Sequence, residues 1–262
     1  MLYRTTSPTV ACLCLAALHA TAAQTRSTPF SQSFSATTGP TISEHLDASA
    51  SPMPFAGMGV EARLRYDRSA GRWNTSLAID GARRSYSSRA DAGTNVRERA
   101  YDGAFTATVL RDIGAGPASR FSAGLALDVR GGLLSHQYAD PGATTTDYVN
   151  GYALLGPAVR WRYPVFGGAA IARLSVPLVG IAHHPYTDAR IDQASPSLRA
   201  VSATMLRGYD ASLGFESSAR RRVGLMAEFH ARALDYADLQ QARMTSTALT
   251  AGVIVRFGRT HP

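Results

Sequence analysis

Lysine is absent from this 262-residue chain, so its 27 basic residues are all arginine and the formal charge of +8 is an arginine excess. Cysteine occurs only at Cys12 and Cys14, inside one apolar run near the N-terminus. Beyond that run, no stretch reaches the roughly 18–20 uninterrupted apolar residues that a membrane-spanning helix needs. Charged residues are few, at 18% against 45% hydrophobic, which excludes a disordered chain. The arginines lie scattered along the chain and are not gathered with aromatics into one exposed patch, which argues against nucleic-acid binding. The run Arg220-Arg221-Arg222 falls at a predicted turn and reads as a solvated one.

The N-terminal run reads as a secretory signal over residues 1–23. Arg4 supplies the positive start, Val10–Leu18 the apolar core, and Ala20-Thr21-Ala22-Ala23 a small-residue cleavage site before Gln24. Cleavage there would remove both cysteines, leaving a mature chain without disulfide or thiolate chemistry.

What remains is a repeated alternation of apolar and polar residues. Met58, Val60, Ala62, Leu64 and Tyr66 face one side, opposite Glu61, Arg63 and Arg65. The pattern recurs over Trp73–Gly81, Tyr101–Val109, Phe121–Val129, Tyr209–Phe215, Val223–Ala231 and Thr247–Phe257. Period two sustained over such lengths is the mark of a strand with two unlike faces. Two segments are less regular. In Tyr148–Tyr163 the apolar parity slips at Gly156-Pro157, which predicts a β-bulge, and Pro177 demands a similar adjustment within Ala169–Ile181.

Short connections (67–71, 112–118, 164–168, 217–221) alternate with long ones (85–98, 132–146, 182–203, 235–244). Nine strands are readable. A tenth is needed for the last strand to end on the short-turn side, and the place for it is Pro29–Thr37, where Phe30, Gln32 and Phe34 alternate poorly. The expected architecture is all-β: an antiparallel up-and-down barrel of about ten strands, within a range of eight to twelve. The expected division is signal 1–23, an N-terminal segment 24–54 holding the first strand, a barrel over 55–258 and a short tail 259–262.

A soluble β-sandwich also alternates, but its strands average five or six residues, whereas a tilted membrane strand needs about nine to eleven. Aromatics cluster near strand ends (Tyr66, Trp73, Tyr101, Phe121, Trp161, Tyr163, Phe257), as at an interfacial girdle. Charges also fall in mid-strand on one consistent side, where a barrel places them in its lumen. In these features, over roughly residues 55–258, the chain resembles the outer-membrane β-barrel proteins of Gram-negative bacteria. The closing segment Thr247–Phe257 looks like the C-terminal assembly signal of that class, although residues 258–262 follow the aromatic. The resemblance implies export to the outer membrane and contact with outer-membrane lipid, lipopolysaccharide and the barrel-assembly machinery.

The expected lumen-lining set is Glu61, Arg63, Arg65, Asp80, Asp102, Asp128, Arg130, Arg160, Arg162, Arg173, Asp210, Glu228, His230, Arg232 and Arg256. A ten-stranded barrel is narrow enough for long side chains nearly to fill it. Acids and arginines at similar depth should pair, because an unpaired charge in a confined lumen is costly. The first expectation is therefore a salt-bridged interior in a structural or surface-interaction protein, with no enzyme activity, cofactor or metal. Its long loops would meet an extracellular ligand or polysaccharide. The alternative is a narrow passive pore biased toward anions, since arginines outnumber acids eight to six in this set. A hydrolase is a weaker third reading. It would rest on His136 with Ser135 and Asp140, or on His183-His184 with Asp188, and a general base needs its partner within hydrogen-bond reach. Adjacent histidines on a strand point to opposite sides, so His183-His184 makes a poor metal site.

Overall fold

A computed structural model describes residues 30–47, 51–88, 97–115, 120–137, 146–165, 167–186, 195–217, 222–237 and 241–257. The expected signal segment and the tail lie outside the described residues.

Twelve strands form one antiparallel sheet. They are β1 Phe30–Asp47, β2 Ser51–Ala70, β3 Trp73–Ser88, β4 Arg97–Ala115, β5 Arg120–Gln137, β6 Thr146–Val165, β7 Gly168–Ser175, β8 Val179–Tyr186, β9 Ser195–Ser202, β10 Leu206–Glu216, β11 Val223–Ala237 and β12 Gln241–Phe257. Ten of them close a ring in which each strand pairs with the next, β7 pairs with β10, and β12 returns to β1 from Gln32↔Phe257 to Asp47↔Ala242. The hairpin β8–β9 stands outside that ring, attached along the upper half of β6. β8 continues the line of β7, and the two are separated only by Val176–Leu178, around the proline expected to interrupt the strand.

Alternation makes the wall. Outward positions such as Met58, Val60, Leu64, Ile79, Leu125, Leu213, Leu225 and Leu249 are exposed and apolar, which a barrel in lipid requires and one in water would not sustain. Trp73, Phe121, Trp161, Tyr163, Phe215 and Phe257 gather outward at the short-turn end. Tyr101 lies ten positions along β4 from Arg111, the partner of Trp73. At a strand tilt of about 40° that is a rise of about 25 Å, the height of a membrane-facing apolar band. Strands of 16 to 20 residues such as β3 and β6 rise about 40–50 Å, so the wall continues well beyond the band at the long-loop end. At the opposite end β2 and β3 join through Gly71 and Arg72, with Gly71 at φ 61°, the left-handed conformation a two-residue hairpin loop favours.

Four sequence expectations change. The bulge at Gly156-Pro157 is absent: β5 and β6 keep one register from Arg120↔Arg162 to His136↔Thr146. The apparent slip arises because Leu154 points inward, as do Gly156 and Ala158, and joins an apolar cluster with Ala182, Val201, Leu206, Leu234 and Tyr236. The connection 182–203 is largely the β8–β9 pair, held by the free edge of β6 and not by any alternation of its own. The other long connections also give up residues to their flanking strands, as where β3 runs to Ser88 and β4 starts at Arg97. Finally, the first strand extends to Asp47 and not Thr37, with Ser35, Thr37, Thr41, Ser43 and His45 buried on its inner face.

Candidate functional site: an ionic layer between two chambers

The closing strands leave room inside. The inner faces of β1 and β12 carry small residues, including Thr37, Thr41, Ser246, Ala248 and Thr250, all buried. Arginines on β2 therefore reach over both strands to β11. Arg63 Nη1 donates to Glu228 Oε1 at 2.6 Å. Arg65 forks onto the same carboxylate, Nη1 to Oε2 at 2.8 Å and Nη2 to Oε1 at 2.9 Å, a two-point match that fixes orientation as well as charge. Arg173 on β7 approaches Glu228 at 3.4 Å.

The layer spreads from there. Arg63 Nε pairs with Asp80 on β3, which also lies 3.5 Å from Arg232. Asp210 accepts from Arg232 Nε and Arg130 Nη2, both at 2.9 Å, and sits 2.8 Å from His230 Nε2. Arg130 Nε also donates to Asp128 at 2.6 Å. Glu61 lies 3.5–3.7 Å from His230, Arg84 and Arg63, and Arg84 pairs with Asp102. Eleven of the fifteen expected residues thus meet in one network around the barrel axis, and Asp102 joins it through Arg84. Arg162 and Arg256 meet Glu216 lower down, at 3.4 and 3.8 Å. Arg160 lines the cavity on that side with Asp67.

The layer divides the interior. Toward the long-loop end lies an outer chamber, lined by His45, Arg84, Tyr86, Asp102, Leu134, Tyr152, Leu234 and Met244 among others. Toward the short turns lies an inner chamber, lined by Arg65, Asp67, Asn74, Arg160 and Arg173 among others. Arg130 and Arg232 close the first from below; Arg63 and Asp210 close the second from above.

Sequence reasoning missed several inward groups. Arg84 shares its face with Asp80 four residues earlier on β3, so the alternation already pointed to it. Asp67, Asp112 and Glu216 likewise continue the inner faces of β2, β4 and β10; Asp112 accepts from Asn74 and Ser122 at 2.6 Å each. Glu98 continues the inner face of β4 four residues before Asp102, whereas His45 carried no such signal. His45 Nε2 lies 3.1 Å from Glu98 Oε1 on the chamber wall, its ring stacked on Phe55 at 5.2 Å and edge-on to Tyr86 at 4.6 Å. The additions bring one arginine and four carboxylates to the eight and six read from the sequence. No arginine excess remains among the described inward residues, which removes the basis for an anion bias. Of the groups raised for hydrolysis, Asp140 and Asp188 lie outside the described residues. His136 and His184 are described only as strand backbone.

Among solved structures, the outer membrane protease OmpT of Escherichia coli is similar at 8% identity and a TM-score of 0.55, over 87% of this chain and 96% of that one. The fold is that of the Gram-negative outer-membrane β-barrels. The translocator domain of the autotransporter NalP from Neisseria meningitidis matches at 9% identity and a TM-score of 0.46, over 95% of each chain. The attachment invasion locus protein Ail of Yersinia pestis matches at 11% identity and a TM-score of 0.38, over 86% of this chain and 98% of that one. No protein-family model and no curated protein sequence matches the chain.

Proposed function

We propose that this outer-membrane barrel is a sealed scaffold, without catalytic or cofactor chemistry of its own, that carries a surface-interaction platform at its long-loop end. One observation carries the reading. The ionic layer around Glu228 and Asp210 fills the cross-section between the two chambers with paired charges, several of them almost fully buried. Such a layer gives ions no free path and holds non-adjacent strands in fixed relation.

Two further features support an outer-membrane setting. The outward apolar band matches a bilayer in height. At its upper edge Arg83 lies over the Tyr101 ring, 5.9 Å from the centroid, with Arg99 also exposed on β4. Fixed positive charge there suits the phosphates of lipopolysaccharide. The wall above the band and the far end of the β8–β9 hairpin then stand clear of lipid, where an extracellular ligand or polysaccharide is met. The test is conductance of the refolded protein in a planar bilayer, with a heat-modifiability gel to establish folding. A folded barrel should give no steady steps; steady steps would overturn the reading and favour a pore.

A further inference from the structure

The arginines that stay out of the lumen are unevenly spread around the barrel. At the short-turn end Arg68 on β2 and Arg111 on β4 face outward, and both flank Trp73 on β3. Arg111 is the register partner of Trp73, which sets the two side chains side by side on the outer wall. Arg68 pairs with Thr75, the next outward position of β3, and so is the diagonal neighbour of Trp73. Arg72 is exposed in the turn below. The Asp112 N–H donates to its carbonyl at 2.8 Å, which ties that turn to β4 beside Arg111. Trp73 and Arg111 are exposed, and among the described residues neither Arg72 nor Arg111 has an ion-pair partner. The carboxylates at this end, Asp67, Asp112 and Glu216, all continue inner faces, so none stands on the patch. The girdle on β5 and β6 differs. There Arg120, Arg160 and Arg162 share the lumen face, which leaves Phe121, Trp161 and Tyr163 outward without an arginine among the described residues.

We infer that this wall of β2–β4 binds an acidic phospholipid of the leaflet at the short-turn end, its phosphate received by Arg72 and Arg111, with Arg68 adding charge and Trp73 lying against the glycerol-ester region. A guanidinium meets a phosphate with two parallel hydrogen bonds, and an indole ring settles at the boundary between headgroup and hydrocarbon. Above the patch Val109 and Ile79 continue the exposed apolar wall on which acyl chains lie. A zwitterionic headgroup brings an ammonium for which the patch holds no acceptor. The patch lies about 25 Å below Tyr101 and Arg83, so it meets the opposite leaflet from theirs. The site rests on the membrane setting and is independent of whether the lumen is sealed.

The chain has two tryptophans, and Trp161 serves as the internal control. Trp161→Phe and Trp73→Phe, each refolded as the full chain into phosphatidylcholine vesicles and checked for heat modifiability, report one tryptophan apiece. Fluorescence quenching by brominated phosphatidylglycerol, against brominated phosphatidylcholine at equal mole fraction, gives the local lipid preference at each. At Trp73 phosphatidylglycerol should be preferred at least about fivefold, the factor that one arginine near an anionic lipid supplies. At Trp161 the two lipids should quench nearly equally. Adding Arg72→Gln and Arg111→Gln to the Trp161→Phe chain should bring Trp73 down to the level of Trp161. Equal preference at the two tryptophans, or a preference at Trp73 that survives both glutamines, would overturn the inference. No quenching by either lipid at either tryptophan would remove the membrane setting, and the inference with it. Should the glutamine variant fail to fold, the comparison of the two tryptophans decides.

Discussion

Glu228 is the residue on which most of the ionic layer depends. Its carboxylate is 1% exposed and receives Arg63 and Arg65 directly, with Arg173 close by. Replacing such a pair with packed hydrophobic residues is often neutral, but removing one partner alone leaves buried charge uncompensated. Glu228→Gln keeps the shape and loses the charge, so it should lower stability by about 3–5 kcal/mol. Urea unfolding of the refolded barrel, read by heat modifiability, checks this. Arg162, 35% exposed beside Glu216, is the contrasting case. Arg162→Gln in the same assay should cost no more than about 1 kcal/mol, because a partly solvated pair gains little. If the two variants cost the same, burial is not what gives the layer its strength.

At the scale of the strands, legibility followed contrast between the two faces. β2 declares itself because Val60, Ala62 and Leu64 stand against Glu61, Arg63 and Arg65, and lipid and lumen are as unlike as those side chains. Where both environments favour similar residues, the signal fades. Leu154 is apolar and inward because the outer half of the lumen is itself partly apolar, and parity alone cannot tell it from a lipid-facing leucine. β1 is small and polar on its inner face and mixed outside, so only its pairing with β2 and β12 reveals its length. β9, Ser195–Ser202, has no periodicity to read and is held by β8. The lumen charges were legible for the same reason as β2, since they sit opposite lipid-facing residues. His45 was not, because β1 does not alternate strongly at its level. The β8–β9 hairpin lies outside the ring, and β7 pairs with β10 without it. Replacing residues 183–198 with a short glycine-rich turn should therefore leave heat modifiability and folding yield unchanged. Surface binding that depends on the hairpin should disappear, and loss of the folded band would show instead that the ring needs it.

For the whole molecule, the question is whether the two chambers communicate. Arg63 and Glu228 form a chord of the layer, from β2 to β11 across two intervening strands. Arg63→Ala combined with Glu228→Ala removes both ends without leaving either alone in the lumen. Water should then join the chambers, and steady conductance steps should appear in planar bilayers where the native barrel shows none. Persistent silence would mean that Asp80, Asp210, His230 and their arginines seal the barrel unaided.

The position of that chord has a consequence for how the cylinder is made. β1 and β12 come from opposite ends of the chain, and their pairing is the seam that turns a sheet into a barrel. β2 and β11 flank the seam, so Arg63 and Arg65 can meet Glu228 only after the seam has zipped. The bond that seals the channel is thus also a latch: it rewards correct closure, and it resists sideways opening at the joint between the two ends of the chain.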